Sequence, residues 1–164
     1  MGLFKSAWQS ANPQKRIKAI EKITDQEVLK NLAASDPVLE VRLAAIKGIS
    51  NEHFLAMLAN EMNNKSITDA VITKLTSQDI LFSLAIQGKA NEIVSGSTIK
   101  LALMGDKRII SNFKEIKSKF ITRGDADYYT FLHEAMKAFE KSPSNDVTQF
   151  IMETYYADPR VRLS

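Results

Sequence analysis

The chain has 164 residues, 45% hydrophobic and 25% charged, with 22 basic against 19 acidic side chains, two histidines and no cysteine. A length close to the roughly 150 residues of an ordinary domain allows a core that needs no disulfide or metal staple. The missing cysteines exclude disulfides, thiolate metal sites and a cysteine nucleophile, and two imidazoles exclude a three-histidine metal site.

At the start, Leu3, Phe4, Ala7, Trp8 and Ala11 recur at helical spacing and read as a short cap over residues 1–11. Met1-Gly2-Leu3-Phe4-Lys5-Ser6 also fits the loose N-myristoylation pattern, a match too short to carry an assignment. No run approaches the roughly 18 apolar residues of a membrane span. The first residues lack the apolar core of a secretory signal. The expectation is a cytoplasmic protein with no membrane span.

From Asn12 the sequence repeats every 26 residues without a gap. Seven positions match across three copies: Ile20/Ile46/Ile72, Ile23/Ile49/Leu75, Thr24/Ser50/Thr76, Val28/Phe54/Ile80, Leu29/Leu55/Leu81, Leu32/Leu58/Leu84 and Ala33/Ala59/Ala85. Six are apolar and one is always a hydroxyl. The apolar spacing of three and four predicts two short helices per copy. The hydroxyl between them is expected to cap the following helix, with Thr24 and Glu27 at capping-box spacing. Asp36-Pro37 and Asn12-Pro13 are expected to open the other helix, proline suiting a first helical turn. Neither helix can bury its stripe alone, so the pairs must stack.

Asp36-Pro37, Val41-Arg42, Ala44-Ala45-Ile46 and Ile49 resemble the second helix of a HEAT repeat, with residues 25–34 or 51–60 as the first. Asp158-Pro159-Arg160-Val161-Arg162 restarts the phrase at the end of the sequence. The resemblance covers residues 12–85. It implies an all-α fold, a right-handed, armadillo-type α-solenoid of stacked antiparallel helix pairs. It also implies a ladder in which Asp36 meets Arg42 or Arg16, stopping where the third copy has Thr68. The implied organisation is one repeat domain over 1–164: a cap at 1–11, regular repeats at 12–88 and divergent repeats at 89–164.

After the third copy, Gly88 and Ser95-Gly96-Ser97 predict a loop, a poor helix or a bend. An insertion of about three residues keeps Leu101, Met104, Ile109, Ile110 and Phe113 in the apolar pattern. From Gly105-Asp106 an amphipathic helix carries Ile109, Phe113, Ile116 and Phe120 on one face, with Gly124 as its stop. A longer pair is predicted over 125–141 and 145–156. Residues 91–123 hold seven basic and three acidic side chains; residues 124–164 hold four and seven.

Candidate sites are few. His133-Glu134 lacks the second histidine of a zincin helix, since position 137 is lysine, and Asp125 with Asp127 lacks the rest of a calcium loop. No cofactor, metal site or catalytic set is expected. Tyr128-Tyr129 and Tyr155-Tyr156 each set adjacent aromatics about 100° apart on a helix, so one of each pair is expected at the surface. The HEAT resemblance implies a non-catalytic binding or scaffold module that recognises another macromolecule, first a protein, on the concave face. Lys18, Glu21, Lys22, Glu40, Lys47, Thr73 and Lys74 would lie there, with Arg16, Asp36 and Arg42 as the structural ladder. One alternative is nucleic-acid binding through the basic helix 106–123, by Lys107, Arg108, Lys114, Lys117, Lys119 and Arg123. Another is an accessory subunit or lyase-like enzyme of HEAT fold.

Overall fold

The computed structural model describes residues 7–121, 125–140 and 145–158. Within them the chain is all-α: a 3-10 turn at Ala7–Gln9 precedes ten α-helices, and no strand occurs among the described residues. The helices are α1 (Pro13–Ile20), α2 (Gln26–Ser35), α3 (Leu39–Gly48), α4 (Glu52–Glu61), α5 (Lys65–Lys74), α6 (Gln78–Gln87), α7 (Asn91–Leu103), α8 (Arg108–Ile121), α9 (Asp125–Phe139) and α10 (Asp146–Ala157).

The sequence period is a period of helix starts. Helices α1, α3, α5 and α7 begin at residues 13, 39, 65 and 91, and α2, α4 and α6 at 26, 52 and 78. Burial follows the same step. Leu29, Leu55 and Leu81 are fully buried, as are Ala33, Ala59 and Ala85 to within 1%, while Thr24, Ser50 and Thr76 are exposed. The period breaks after α7, which is 13 residues long where α3 and α5 have 10. This is the three-residue insertion read from the apolar pattern. Gly105 follows with φ +74, the left-handed conformation that glycine adopts without a Cβ penalty.

The helix starts have local causes, and they correct two expectations. The repeated hydroxyl does not cap the next helix. The residue after it does: Asp25 accepts from the N–H groups of Glu27 and Val28, Asn51 from those of His53 and Phe54, and Ser77 from that of Ile80. Pro13 occupies the first turn of α1 behind the cap Asn12, but Pro37 lies before the cap of α3, which is Val38. The Asp36 side chain bends back to accept the Val38 N–H at 2.9 Å instead.

The contacts divide the chain into two compact units, Met1–Thr76 and Ser77–Ser164. In the first, α3 packs on α1, α2 and α5, while α4 packs on α2 and α5. Its core is Ile20, Leu29, Val41, Ile46, Ile49, Leu55, Leu58, Ile67, Val71 and Leu75. In the second, α7 packs on α6, α8, α9 and α10.

That position explains the small residues of α7. The segment is one helix, not a loop, and buries Ser95, Ser97 and Thr98 among its neighbours. Thr98 meets its hydroxyl need by donating to the Val94 carbonyl at 2.7 Å. A Cβ on Gly88 would lie 2.5 Å from the Leu84 carbonyl oxygen and 2.9 Å from Ile93, so the α6–α7 corner needs glycine. The predicted stripe of α8, Ile109, Phe113, Ile116 and Phe120, is buried, whereas Met104 is exposed at 39%. Phe131, Ala135 and Phe139 are core, as their spacing implies, and Phe131 stacks on Phe120 at 4.9 Å between centroids. Of the tyrosine pairs, Tyr156 is exposed; Tyr128 is buried, with Tyr129 half-buried beside it.

Candidate binding face

In the first unit, α3 is flanked by α1 and α5, and a groove runs along each side of it. The α3/α5 groove encloses about 590 Å³ and is lined by Leu43, Ile46, Lys47, Ser66, Asp69, Ala70, Thr73 and Lys74. The α1/α3 groove encloses about 490 Å³ and is lined by Ile17, Ile20, Glu21, Ile23, Ala44, Lys47 and Gly48. Lys47 belongs to both. Of the residues expected on a binding face, Glu21, Lys47, Thr73 and Lys74 are thus gathered on two adjoining grooves. Lys18, Lys22 and Glu40 are exposed but line neither.

Two interactions hold this face. Lys74 Nζ donates to the Lys47 carbonyl at 2.7 Å, joining the C-terminal ends of α5 and α3. Such a bond also suits a cation near a helix C-terminus. At the α1 end, Arg16 Nε and Nη2 donate to the two oxygens of Asp36, each at 2.8 Å, in a bidentate pair. Arg16 Nη1 donates to the carbonyls of Ser10 and Ala11 at 2.8 and 3.2 Å, tying down the turn before α1. Burial pushes the Asp36 carboxyl up, but the Arg16 bonds, the Val38 N–H and the charges of Arg16 and Arg42 hold it below its ordinary value.

Among the described residues the expected ladder of Arg16, Asp36 and Arg42 has one ionic rung, Arg16 with Asp36. Arg42 does not pair with Asp36. Its Nε donates to the Ala33 carbonyl at 3.0 Å, and its Nη2 meets Met62 Sδ at 3.0 Å. Met62 stands 26 residues after Asp36, so Arg42 reaches the equivalent position and finds a thioether where Arg16 finds a carboxylate.

Charge is sorted between the helices of this unit. Helices α1, α3 and α5 carry Lys15, Arg16, Lys18, Arg42, Lys47, Lys65 and Lys74 against Glu40 and Asp69. Helices α2 and α4 carry Lys30 against Glu27, Glu52 and Glu61. No aromatic residue occurs on α1, α3 or α5.

The other cluster expected to bind, the basic helix of the second unit, is largely committed within that unit. Arg108 Nη1 donates to Asp79 at 2.7 Å, its Nη2 and Nε donate to Asp106 at 2.6 and 3.0 Å, and its guanidinium lies 4.6 Å from the Phe82 ring centroid. The Asp106 carboxyl is held below its ordinary value by these Arg108 bonds, against burial that raises it. Lys107 pairs with Asp146 at 2.9 Å, and Lys117 lies 4.6 Å from the Tyr128 ring centroid. Lys114 is exposed and Lys119 half-buried, while Arg123 lies outside the described residues. Of the described members of this cluster, Arg108, Lys107 and Lys117 thus each have a partner within the unit.

Sequence reasoning missed Leu43, Asp69 and Ala70 on the groove. The signal was present, since Ile17, Leu43 and Asp69 occupy one repeat position that faces away from the core. No group of three or more His, Asp or Glu side chains among the described residues is placed to hold a metal ion. Among the described residues no helix is long and apolar enough to cross a membrane. Comparison with protein-family models, curated proteins and solved structures gives no match.

Proposed function

We propose that this chain is a non-catalytic binding module of HEAT-like, right-handed solenoid type, and that it recognises another macromolecule, a protein, on the face made by α1, α3 and α5. The observation that carries this reading is the pair of adjoining grooves sharing Lys47, lined by four of the seven residues expected to bind. Both grooves are open to solvent and include charged side chains in their lining, Lys47, Asp69 and Lys74 in one and Glu21 and Lys47 in the other. That shape suits contact with an extended or helical segment. The regular 26-residue step of helix starts supports the repeat reading, because each helix reuses one packing register.

Affinity capture from cells, with nuclease treatment, tests the proposal. Proteins held by the wild-type chain should be lost with a Lys18→Glu/Lys22→Glu/Lys47→Glu variant and kept with Lys137→Glu in the second unit. Retention that ignores the triple variant, or that disappears on nuclease treatment, rejects it.

A further inference from the structure

We infer that the α3/α5 groove takes a short acidic peptide segment of a partner protein, seating an apolar side chain over Leu43, Ile46 and Ala70 and its carboxylates against Lys47 and Lys74. This rests on the binding-face reading above and names the chemistry of its partner. Three observations converge on it.

The floor and the rim of the groove differ in kind. Half-buried Leu43 and Ala70, backed by the buried Ile46, present aliphatic carbon, while Lys47 and Lys74 stand at the C-terminal ends of their helices. The bond from Lys74 Nζ to the Lys47 carbonyl fixes one ammonium at the groove end, so a carboxylate arriving there meets an ordered cation. Lys47 is exposed and has no ion-pair partner among the described residues. The groove volume of about 590 Å³ matches a few side chains of a peptide, within the range of ordinary ligand sites.

Charge sorting sets the sign of the partner. The row α1, α3 and α5 is strongly basic and the row α2 and α4 is acidic, so the field at the groove favours an anionic segment and repels a cationic one. The same residues argue against a nucleic acid. The arginines of this row, Arg16 and Arg42, are both engaged inside the unit, and no aromatic side chain offers a base a stacking surface. An aliphatic floor contributes to peptide binding by burying a side chain and contributes nothing to a phosphate backbone. Asp69 on the rim, paired with Lys65 at 3.6 Å, interrupts the lysines and weakens a continuous phosphate track further.

The test is selection of a random dodecapeptide display library on the full-length chain, followed by anisotropy titration of the enriched peptides. The expected outcome is enrichment of peptides rich in Asp and Glu around Leu, Ile or Phe. Lys47→Glu should weaken them at least about tenfold, and Asp69→Lys should tighten them about threefold. The two variants move the charge in opposite directions, so damage to the fold cannot produce both results. An unchanged thermal midpoint of Lys47→Glu checks the fold directly. Enriched peptides that are neutral or basic yet still weakened by Lys47→Glu would overturn the acidic partner while leaving the binding face standing. Peptides indifferent to Lys47→Glu overturn both, and so does stronger binding of a dT20 oligonucleotide that is sensitive to Lys47→Glu. A library that yields no enriched peptide overturns the inference alone.

Discussion

Glu52 Oε1 accepts both the backbone N–H and the hydroxyl of Thr76, at 2.8 and 2.5 Å. One period earlier Gln26 Oε1 accepts the N–H and hydroxyl of Ser50, at 2.6 and 3.1 Å. The repeated hydroxyl thus serves the acceptor at the start of the preceding pair's first helix, 24 residues back. It joins one copy to the next. Gln78 begins α6 in the same register, and the residue 24 positions on is Ala102, so the series lacks its hydroxyl there.

Glu52→Ala leaves the Thr76 N–H and hydroxyl without this acceptor and should lower the unfolding free energy by about 1–2 kcal/mol. Glu52→Gln retains an amide oxygen, the arrangement Gln26 already uses, and should stay close to wild type. Urea denaturation of the two variants checks this. Equal losses would show that charge, rather than the paired acceptance, is what the position supplies.

Asp36→Ala strands the Arg16 guanidinium in a site where both side chains are almost fully enclosed, and should cost about 3 kcal/mol. The pH dependence follows from the lowered carboxyl. A group whose folded value is depressed contributes stability above its unfolded value, ordinarily 3.8, and loses that contribution as pH falls through the folded value. The wild-type chain should therefore lose stability on acidification through this range. Asp36→Asn should begin less stable and show a flatter acid limb. A denaturation series from neutral pH downward reads both, and parallel acid limbs would contradict the assignment.

Met62→Asp should supply the rung that Arg42 lacks. The Arg42 guanidinium is already half-buried and its Nη2 already points at position 62, so part of its desolvation is spent in the native chain. A gain of about 1 kcal/mol is expected, from a charge-assisted bond replacing a sulfur contact. Met62→Asn controls for size and polarity. A midpoint for the aspartate variant at or below that of the asparagine variant would refute the second rung.

Arg108→Lys keeps the charge but loses the planar fork that serves Asp79 and Asp106 while covering Phe82. It should destabilise the second unit by about 1 kcal/mol, a modest figure because the side chain is 40% exposed. Lys107→Ala should leave the midpoint unchanged, since the Lys107 and Asp146 side chains are both 74% exposed. Thermal unfolding of both variants distinguishes a structural arginine from a surface lysine. The opposite ranking would return Arg108 to the set of residues available for a ligand.

Much of the helix plan was legible because it depends on neighbours a few residues apart. Ile20, Leu29, Leu32 and Ala33 recur with their counterparts at a fixed step, and that alone predicts the pairs, the buried stripes and the inserted turn before α8. The caps were misplaced by one residue because Thr24 and Asp25, or Thr76 and Ser77, are both good capping types. The packed structure settles it: the hydroxyls of Ser50 and Thr76 donate to Gln26 and Glu52 of the preceding copy, and the next residue caps the helix.

The proposed binding face was legible as a set of outward positions on the second helix of each pair. The grooves on it were not, because their width depends on how closely α1, α3 and α5 approach. The basic helix shows the same limit. Lys107, Arg108 and Lys117 look alike along the chain, but α6 brings Asp79 to Arg108, α10 brings Asp146 to Lys107 and α9 brings Tyr128 under Lys117.

By itself, then, the amino-acid sequence determined the helical period, the apolar faces and the absence of thiol chemistry. These follow from covalent order and from spacings of three and four residues. The tertiary structure decided which carboxylate Arg16 holds, why Arg42 holds none, and which lysines remain at the surface. The partners in those choices are distant in sequence: Arg16 and Asp36, like Arg42 and Met62, are 20 residues apart, and Lys107 finds Asp146 of α10. A long polar side chain takes whichever acceptor the packed helices bring within about 3 Å, and short-range periodicity does not encode that distance.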